Sequence, residues 1–138
     1  MYSNILVPVA LDHEALIPPK LDLARRLLSE GGRITVLTVL ESLPGYVAEY
    51  VTVKSENHLT EIVRRKLDAA VGEAQDVTTE VRTGKAGMEI VAYAQSHGCD
   101  LIIVASHRPG LQDYFLGSTA ARVSRRAPCS VMVVRDTG

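Results

Sequence analysis

Cysteine is scarce in this chain, whose two thiols are Cys99 and Cys129. They form no Cys-x-x-Cys pair and have no histidine at a metal-binding spacing. The sequence therefore argues against a zinc site, a redox motif and a secreted disulfide scaffold. Reduced thiols in the cytosol fit this pattern best.

An excess of charge of either sign is also lacking. Fifteen lysines and arginines stand against sixteen aspartates and glutamates, which gives a net charge of −1. No overall positive field draws the chain to nucleic acid or to an acidic membrane surface. No apolar run reaches about 18 residues and no basic segment precedes the first apolar stretch, so we expect a soluble, unprocessed, cytoplasmic protein without membrane insertion.

The 138 residues, 46% of them hydrophobic, are enough for a single domain over residues 1–138 with its own core. Short β-branched runs alternate with stretches of helical period, the pattern of strand-helix-strand units in a parallel sheet. The predicted strands are Ile5–Val9, Ile34–Leu40, Val77–Val81, Asp100–Ala105 and Ser130–Val134.

Four helices are predicted between these strands. The first has Pro19 in its first turn, contains the apolar residues Leu21, Ala24 and Leu28 at helical spacing, and ends at Gly31-Gly32. The others run from Leu59 to near Gly72, from about Met88 to Gly98, and from about Ser118 to Arg126. Right-handed crossovers then favour an α/β fold, a doubly wound five-stranded parallel sheet in the order 3-2-1-4-5 with helices on both faces.

That strand order leaves a crevice above the carboxyl ends of strands one and four, where ligands of such sheets bind. The loops at residues 10–18 and 106–116 open there. After the second loop, Gly117, Ser118 and Thr119 begin the last helix, and their free amides and hydroxyls predict a phosphate site. An ordinary helix N-cap is the alternative explanation of the same residues.

Two blocks of the sequence resemble the universal stress protein family, and the resemblance covers essentially the whole chain. One is Asn4-Ile5-Leu6-Val7-Pro8-Val9, and the other runs from Ile103 through Gly117-Ser118 to Arg135. Members that bind ATP carry Gly-x-x-Gly, nine further residues, and then Gly followed by Ser or Thr. Gly117-Ser118 matches the final pair. Ala105 and Arg108 replace the first two glycines of this motif, and eight residues instead of nine separate Arg108 from Gly117. After the first strand, Ala10 stands where relatives commonly have an aspartate.

The resemblance implies an ATP-binding regulatory protein of the stress response that acts as a homodimer, with the need for Mg²⁺ left open. The implied nucleotide-binding residues are Pro8, Val9, Ala10 and Val39, with Val104 and Ala105 at the floor of the adenine site, and Ser106, Arg108, Gly117, Ser118 and Thr119 at the phosphates.

Other functions remain open at this point. A slow ATPase would need a phosphate loop and a general base, but the sequence has no Gly-x-x-x-x-Gly-Lys motif and no convincing base. A degenerate interaction module that binds no nucleotide is motivated by Ala10 and Ala105. Plain core packing is the favoured explanation of Val9, Val39 and Val104, since buried valines need no ligand to explain them.

The remaining charged and imidazole side chains have ordinary explanations. His13, His58 and His97 are interpreted as surface residues, Asp12 and Glu14 as solvated acids that could hold a cation, and Arg122, Arg125 and Arg126 as a complement to the dipole of the last helix.

Strand five lies at an edge of the predicted sheet. Its segment from Val131 to Val134 is too apolar to leave its backbone groups open to water. We predict that this edge pairs with its counterpart in a homodimer, which the resemblance also implies. The sequence identifies no further protein partner.

Overall fold

The computed structural model describes residues 1–10, 17–41, 53–72, 76–106 and 116–135, with the backbone alone for residues 53–59. Strands alternate with helices along the chain, as the sequence predicts. The elements are β1 (Tyr2–Pro8), α1 (Ile17–Leu27), β2 (Leu28–Leu40), α2 (Val53–Val71), β3 (Val77–Thr83), α3 (Ala86–His97), β4 (Leu101–Ala105), α4 (Ser118–Arg126) and β5 (Ser130–Val134).

The strands form one five-stranded sheet in the order β3-β2-β1-β4-β5, and every pairing is parallel. Ile5 of β1 is in register with Ile34 of β2 on one side and with Leu101 of β4 on the other. The predicted fold class and strand order are therefore confirmed. Because all the strands run the same way, their carboxyl ends meet along one edge of the sheet.

In the described part of the chain, each face of the sheet is covered by two helices. Successive residues of a strand point to opposite faces, so Ile5 and Val7 pack under α1 and α2, whereas Leu6 packs under α3 and α4. The helices contribute matching apolar stripes, such as Leu21 on α1 and Val123 on α4. This double cover explains why the central strands are apolar throughout.

The end of the first helix differs from the prediction. Helix α1 ends at Leu27, and Leu28, which the sequence placed on the helix, is the first residue of β2 and pairs with Tyr2. The next pair in register is Asn4 and Arg33, so β2 has more residues than β1 between the two pairs and forms a bulge there. Gly31 sits in this bulge with φ of 79°, a left-handed conformation that favours glycine. The glycines therefore mark a bulge and not a helix stop.

A carboxylate joins β1 to β4 at the amino edge of the sheet. Asp100 Oδ2 accepts hydrogen bonds from Ser3 N at 2.9 Å and Ser3 Oγ at 3.1 Å, and Oδ1 accepts from Asn4 N at 3.0 Å. Burial acts to raise the pKa of Asp100, but these hydrogen bonds outweigh it and hold the pKa below the usual range of an aspartate. This cluster fixes the strands at the edge opposite the predicted site.

Candidate functional site

The predicted site lies where β1 and β4 end at the carboxyl edge. Because Leu6 is in register with Ile102, the end of β1 lies beside the end of β4. Residues 11–16 and 107–115 lie outside the described residues, so the predictions for Asp12, Glu14 and Arg108 fall there. The described residues at the ends of the two loops define the site.

Ser106 and Gly117 hold the two ends of the second loop together. Gly117 N donates to Ser106 O at 2.7 Å, and Ser106 N donates to Val134 O at 2.9 Å. The Ser106 residue is almost fully buried, with 1% of its surface exposed. Its backbone therefore anchors the start of α4 to the ends of β4 and β5, while a contact of its hydroxyl with phosphate stays a prediction.

The N-terminus of α4 has no side-chain cap. Gly117 is the N-cap residue, with an extended backbone (φ −61°, ψ 156°), and it has no side chain that could accept a hydrogen bond from the first turn. The first turn also carries no acidic residue. Ser118 is exposed and Thr119 is half-buried. Helix N-termini attract anions through their amides and dipole, so this end of α4 has the chemistry of an anion site.

The residues predicted to hold adenine separate into two groups. Val9 is buried in the cluster under α1 and α2, whereas Val39 and Val104 pack in the cluster under α3 and α4. Their side chains therefore lie on opposite faces of the sheet, and they share only its carboxyl edge. Pro8 is buried, Ala10 is exposed, and Ala105 is half-buried. Core packing accounts for the burial of Val9 and Val104, and their contact with a nucleotide stays a prediction.

Two side chains of the core hold the end of β1 in place. Thr38 Oγ1 donates to Val9 O at 2.7 Å, and Lys20 Nζ donates to Pro8 O at 2.8 Å. Lys20 is only 5% exposed, and its burial lowers the pKa of the ammonium group from 10.5 to about 8. Sequence reasoning missed Lys20. The signal was present, because Lys20 lies four residues before the buried Ala24 on the same face of α1.

The thiols are set apart from this edge. Cys99 is buried between α3 and β4, and burial raises its pKa to about 11, while burial also raises the pKa of the Cys129 thiol. A raised pKa lowers the fraction of thiolate, which is the reactive form of a cysteine. Within the described ranges, no three histidine, cysteine or acidic side chains gather as metal ligands, and no helix is long and apolar enough to cross a bilayer.

Comparison with known proteins gives a consistent set of relatives. The model of the universal stress protein family matches residues 1–135. Universal stress protein A homolog 2 of Coxiella burnetii is 32% identical, over 99% of this chain and 97% of the relative.

Solved structures share the architecture. The structure of protein MJ0577 of Methanocaldococcus jannaschii superposes with a TM-score of 0.81 at 26% identity, over 100% of this chain and 99% of that one. A universal stress protein in complex with cAMP has a TM-score of 0.62 at 20% identity, over 96% of each chain. At that lower identity the likeness concerns the fold.

Proposed function

Because the chain belongs to the universal stress protein family, we propose that it binds ATP at the carboxyl edge of its sheet. In this proposal the protein is a regulatory module of the cytoplasm whose state depends on the bound nucleotide, and it turns ATP over slowly or not at all. The proposal extends the family assignment to a ligand and a site on this chain.

The observation that carries the proposal is the uncapped start of α4. Gly117 leaves the amides of the first turn without a side-chain acceptor, and Ser106 fixes this turn at the edge where β1 and β4 end. A phosphate chain would supply the missing acceptors and would meet the positive end of the helix dipole. The hydroxyls of Ser118 and Thr119 lie on the same turn and would add hydrogen bonds.

The adenosine part would occupy the edge beside β1. The backbone near Val9 and Ala10, together with Val39 and Ala105, would form its surroundings, and Arg108 would meet the phosphates. Ala10 offers no carboxylate for a ribose hydroxyl or a metal ion, so we expect the phosphate contacts to dominate the affinity. A universal stress protein of the same fold in complex with cAMP supports an adenine nucleotide as the class of ligand.

Calorimetry with ATP and adenosine tests this proposal. The native protein is expected to bind ATP more tightly than adenosine, by about tenfold or more, because each charge-assisted hydrogen bond to phosphate is worth about 1.5–3 kcal/mol. Equal affinities for ATP and adenosine would show that the phosphates are not recognised. Binding of neither compound would favour an interaction module with an empty crevice.

The variant Gly117→Val locates the phosphate contacts. The backbone of Gly117 has a negative φ that valine also adopts, so the variant is expected to fold. Its branched side chain would cover the amides of the first turn, and ATP affinity should fall toward that of adenosine. Ser124→Val, on an exposed position of the same helix, is the matched control. An ATP affinity reduced equally in both variants would contradict the proposed location.

We further propose that the protein is a homodimer paired through β5. This strand is an edge of the sheet, and the segment from Val131 to Val134 is half-buried in the single chain. Edge strands with apolar side chains are stabilised by pairing with another strand. Sedimentation velocity at micromolar concentration should give twice the 15.0 kDa of the chain, and a monomer would contradict the pairing.

A further inference from the structure

A cationic groove of about 580 Å³ lies between the first turn of α3 and one face of α4. Lys85 contributes a positive charge from the residue before α3, and Arg122, Arg125 and Arg126 contribute three from α4. We call this the α3–α4 groove. The sequence interpretation of these arginines, a complement to the helix dipole, does not account for Arg122, which lies in the middle of α4, or for their meeting with Lys85.

A buried glycine shapes the groove. A Cβ atom on Gly87 would lie 2.8 Å from Cδ of Arg122, closer than Cβ atoms come to other heavy atoms, and 3.2 Å from its Cβ, which is a tight contact. The aliphatic part of Arg122 therefore lies against the first turn of α3, in space that a larger residue at position 87 would crowd. This contact places the aliphatic part of Arg122 at the wall of the groove.

The charges in the groove are poorly balanced. Glu41 is the acidic residue that lines it, and its Oε1 accepts from Ala86 N at 3.3 Å, at the start of α3. Among the described residues, none of the four cations forms an ion pair with a carboxylate. Arg122 is three and four residues from Arg125 and Arg126, a spacing at which like charges on a helix repel.

The dimensions indicate the class of anion. The groove extends along α4 from Ser118 to Arg126, which corresponds to about 12 Å at 1.5 Å per residue. A single phosphate or carboxylate would meet only part of this row, whereas a chain of phosphates could contact several cations at once. Arginine binds phosphate oxygens in a bidentate manner, and the volume is typical of a small-ligand site.

We propose that the α3–α4 groove binds an oligophosphate group. The groove shares Ser118 and Thr119 with the proposed nucleotide site, but its four cations lie outside that site and its test does not require recognition of adenine. The phosphates come either from a free oligophosphate or from the tail of a bound nucleotide.

Isothermal titration with inorganic triphosphate tests the groove directly. The native protein should bind it, with an affinity that falls as salt is raised from about 50 to about 300 mM because exposed charges are screened. Arg122→Gln and Lys85→Gln should each weaken binding by about tenfold, the effect of losing one charge-assisted contact. Lys85 is exposed and its replacement removes no packing, so this variant remains informative if Arg122→Gln fails to fold.

The matched controls are Arg26→Gln on α1 and Lys66→Gln on α2, both exposed and both on the opposite face of the sheet. They should bind triphosphate like the native protein. A native protein that does not bind triphosphate, or groove variants no weaker than the controls, would overturn the proposal.

Titrations with ATP distinguish the two sources of phosphate. If Arg122→Gln weakens ATP and triphosphate by the same factor, the groove takes the tail of the nucleotide. If only triphosphate is weakened, the groove takes a free oligophosphate. Binding of triphosphate without any binding of ATP or adenosine would support the groove while contradicting the proposed nucleotide site.

Discussion

Replacement of Lys20 by methionine should change how the stability of this protein depends on pH. Lys20 is buried on α1 beneath the end of β1, and burial lowers the pKa of its ammonium group from 10.5 to about 8. Each unit of pKa shift corresponds to about 1.4 kcal/mol, so carrying the charge into the folded protein costs about 3 kcal/mol near neutral pH.

The sign of the pH dependence follows from proton binding. Below pH 8 the amine is charged in both the folded and the unfolded chain, so the full cost is present. Between pH 8 and 10.5 the unfolded chain still binds the proton while the folded chain has released it, so this group makes stability rise with pH. Integrated from pH 7 to pH 9.5, the gain in the free energy of unfolding is about 2 kcal/mol.

Other groups act in the opposite direction in the alkaline range. Burial raises the pKa of Cys99 to about 11 and also raises the pKa values of Cys129 and Tyr93. These acids keep their protons longer in the folded chain, so they make stability fall as pH rises. They are present in both proteins, and the difference between native and Lys20→Met therefore isolates Lys20.

Urea unfolding of both proteins at several pH values between 7 and 9.5 measures this difference. At pH 7 the variant no longer carries the unfavourable burial of the charge, which stabilises it. It also leaves Pro8 O without its donor, which destabilises it by about 1–3 kcal/mol, so the native protein and the variant should have similar free energies of unfolding. By pH 9.5 the native protein should have gained about 2 kcal/mol relative to the variant.

Lys66→Met on α2 is the control, because an exposed ammonium keeps its hydration in both states. Its free energy of unfolding, plotted against pH, should run parallel to that of the native protein. If the free energy of unfolding of Lys20→Met also runs parallel to that of the native protein, the ammonium group of Lys20 is not desolvated in the folded chain, and the prediction is refuted.

Further predictions concern the amino edge and the bulge of β2. Asp100→Asn should destabilise the fold by about 1–2 kcal/mol at pH 7 because the carboxylate that accepts from Ser3 and Asn4 is lost. Since the folded pKa of Asp100 lies below its usual value, the difference in free energy of unfolding between the native protein and Asp100→Asn should become smaller as pH falls below about 4. Urea titrations measure this difference, and a difference that does not change with pH would contradict the role of the charge. Gly31→Ala should cost about 1 kcal/mol in thermal unfolding through backbone strain alone, because no atom lies within 4 Å of the added Cβ. Gly31→Asn should cost less, since asparagine tolerates positive φ better, and equal losses would argue against strain.

Much of the fold could be predicted because the central strands must be apolar on both faces. Runs such as Ile102-Ile103-Val104 have no polar side to expose, so their identity as buried parallel strands follows from composition. The start of β2 could not be predicted in the same way. A pair of glycines indicates either a helix end or a bulge, and only the register of β1 with β2 distinguishes the two.

The site could be predicted in part. Gly117-Ser118 is recognisable because a glycine before a helix leaves amides open, a local feature of the sequence. Lys20 was missed because lysine is rarely buried, and its burial depends on how α1 packs on the sheet. The meeting of Lys85 with Arg122 depends on the packing of α3 against α4, which brings together residues far apart in the chain.

The central claim is that the first turn of α4 binds phosphate, and amide chemical shifts measured during an ATP titration test it most directly. We predict that the backbone amide signals of Ser118 and Thr119 move with ATP and stay unchanged with adenosine, while amides of α1 near Arg26, on the opposite face of the sheet, respond weakly to both. Movement of the β1 signals with ATP while the Ser118 and Thr119 amides stay still would contradict it.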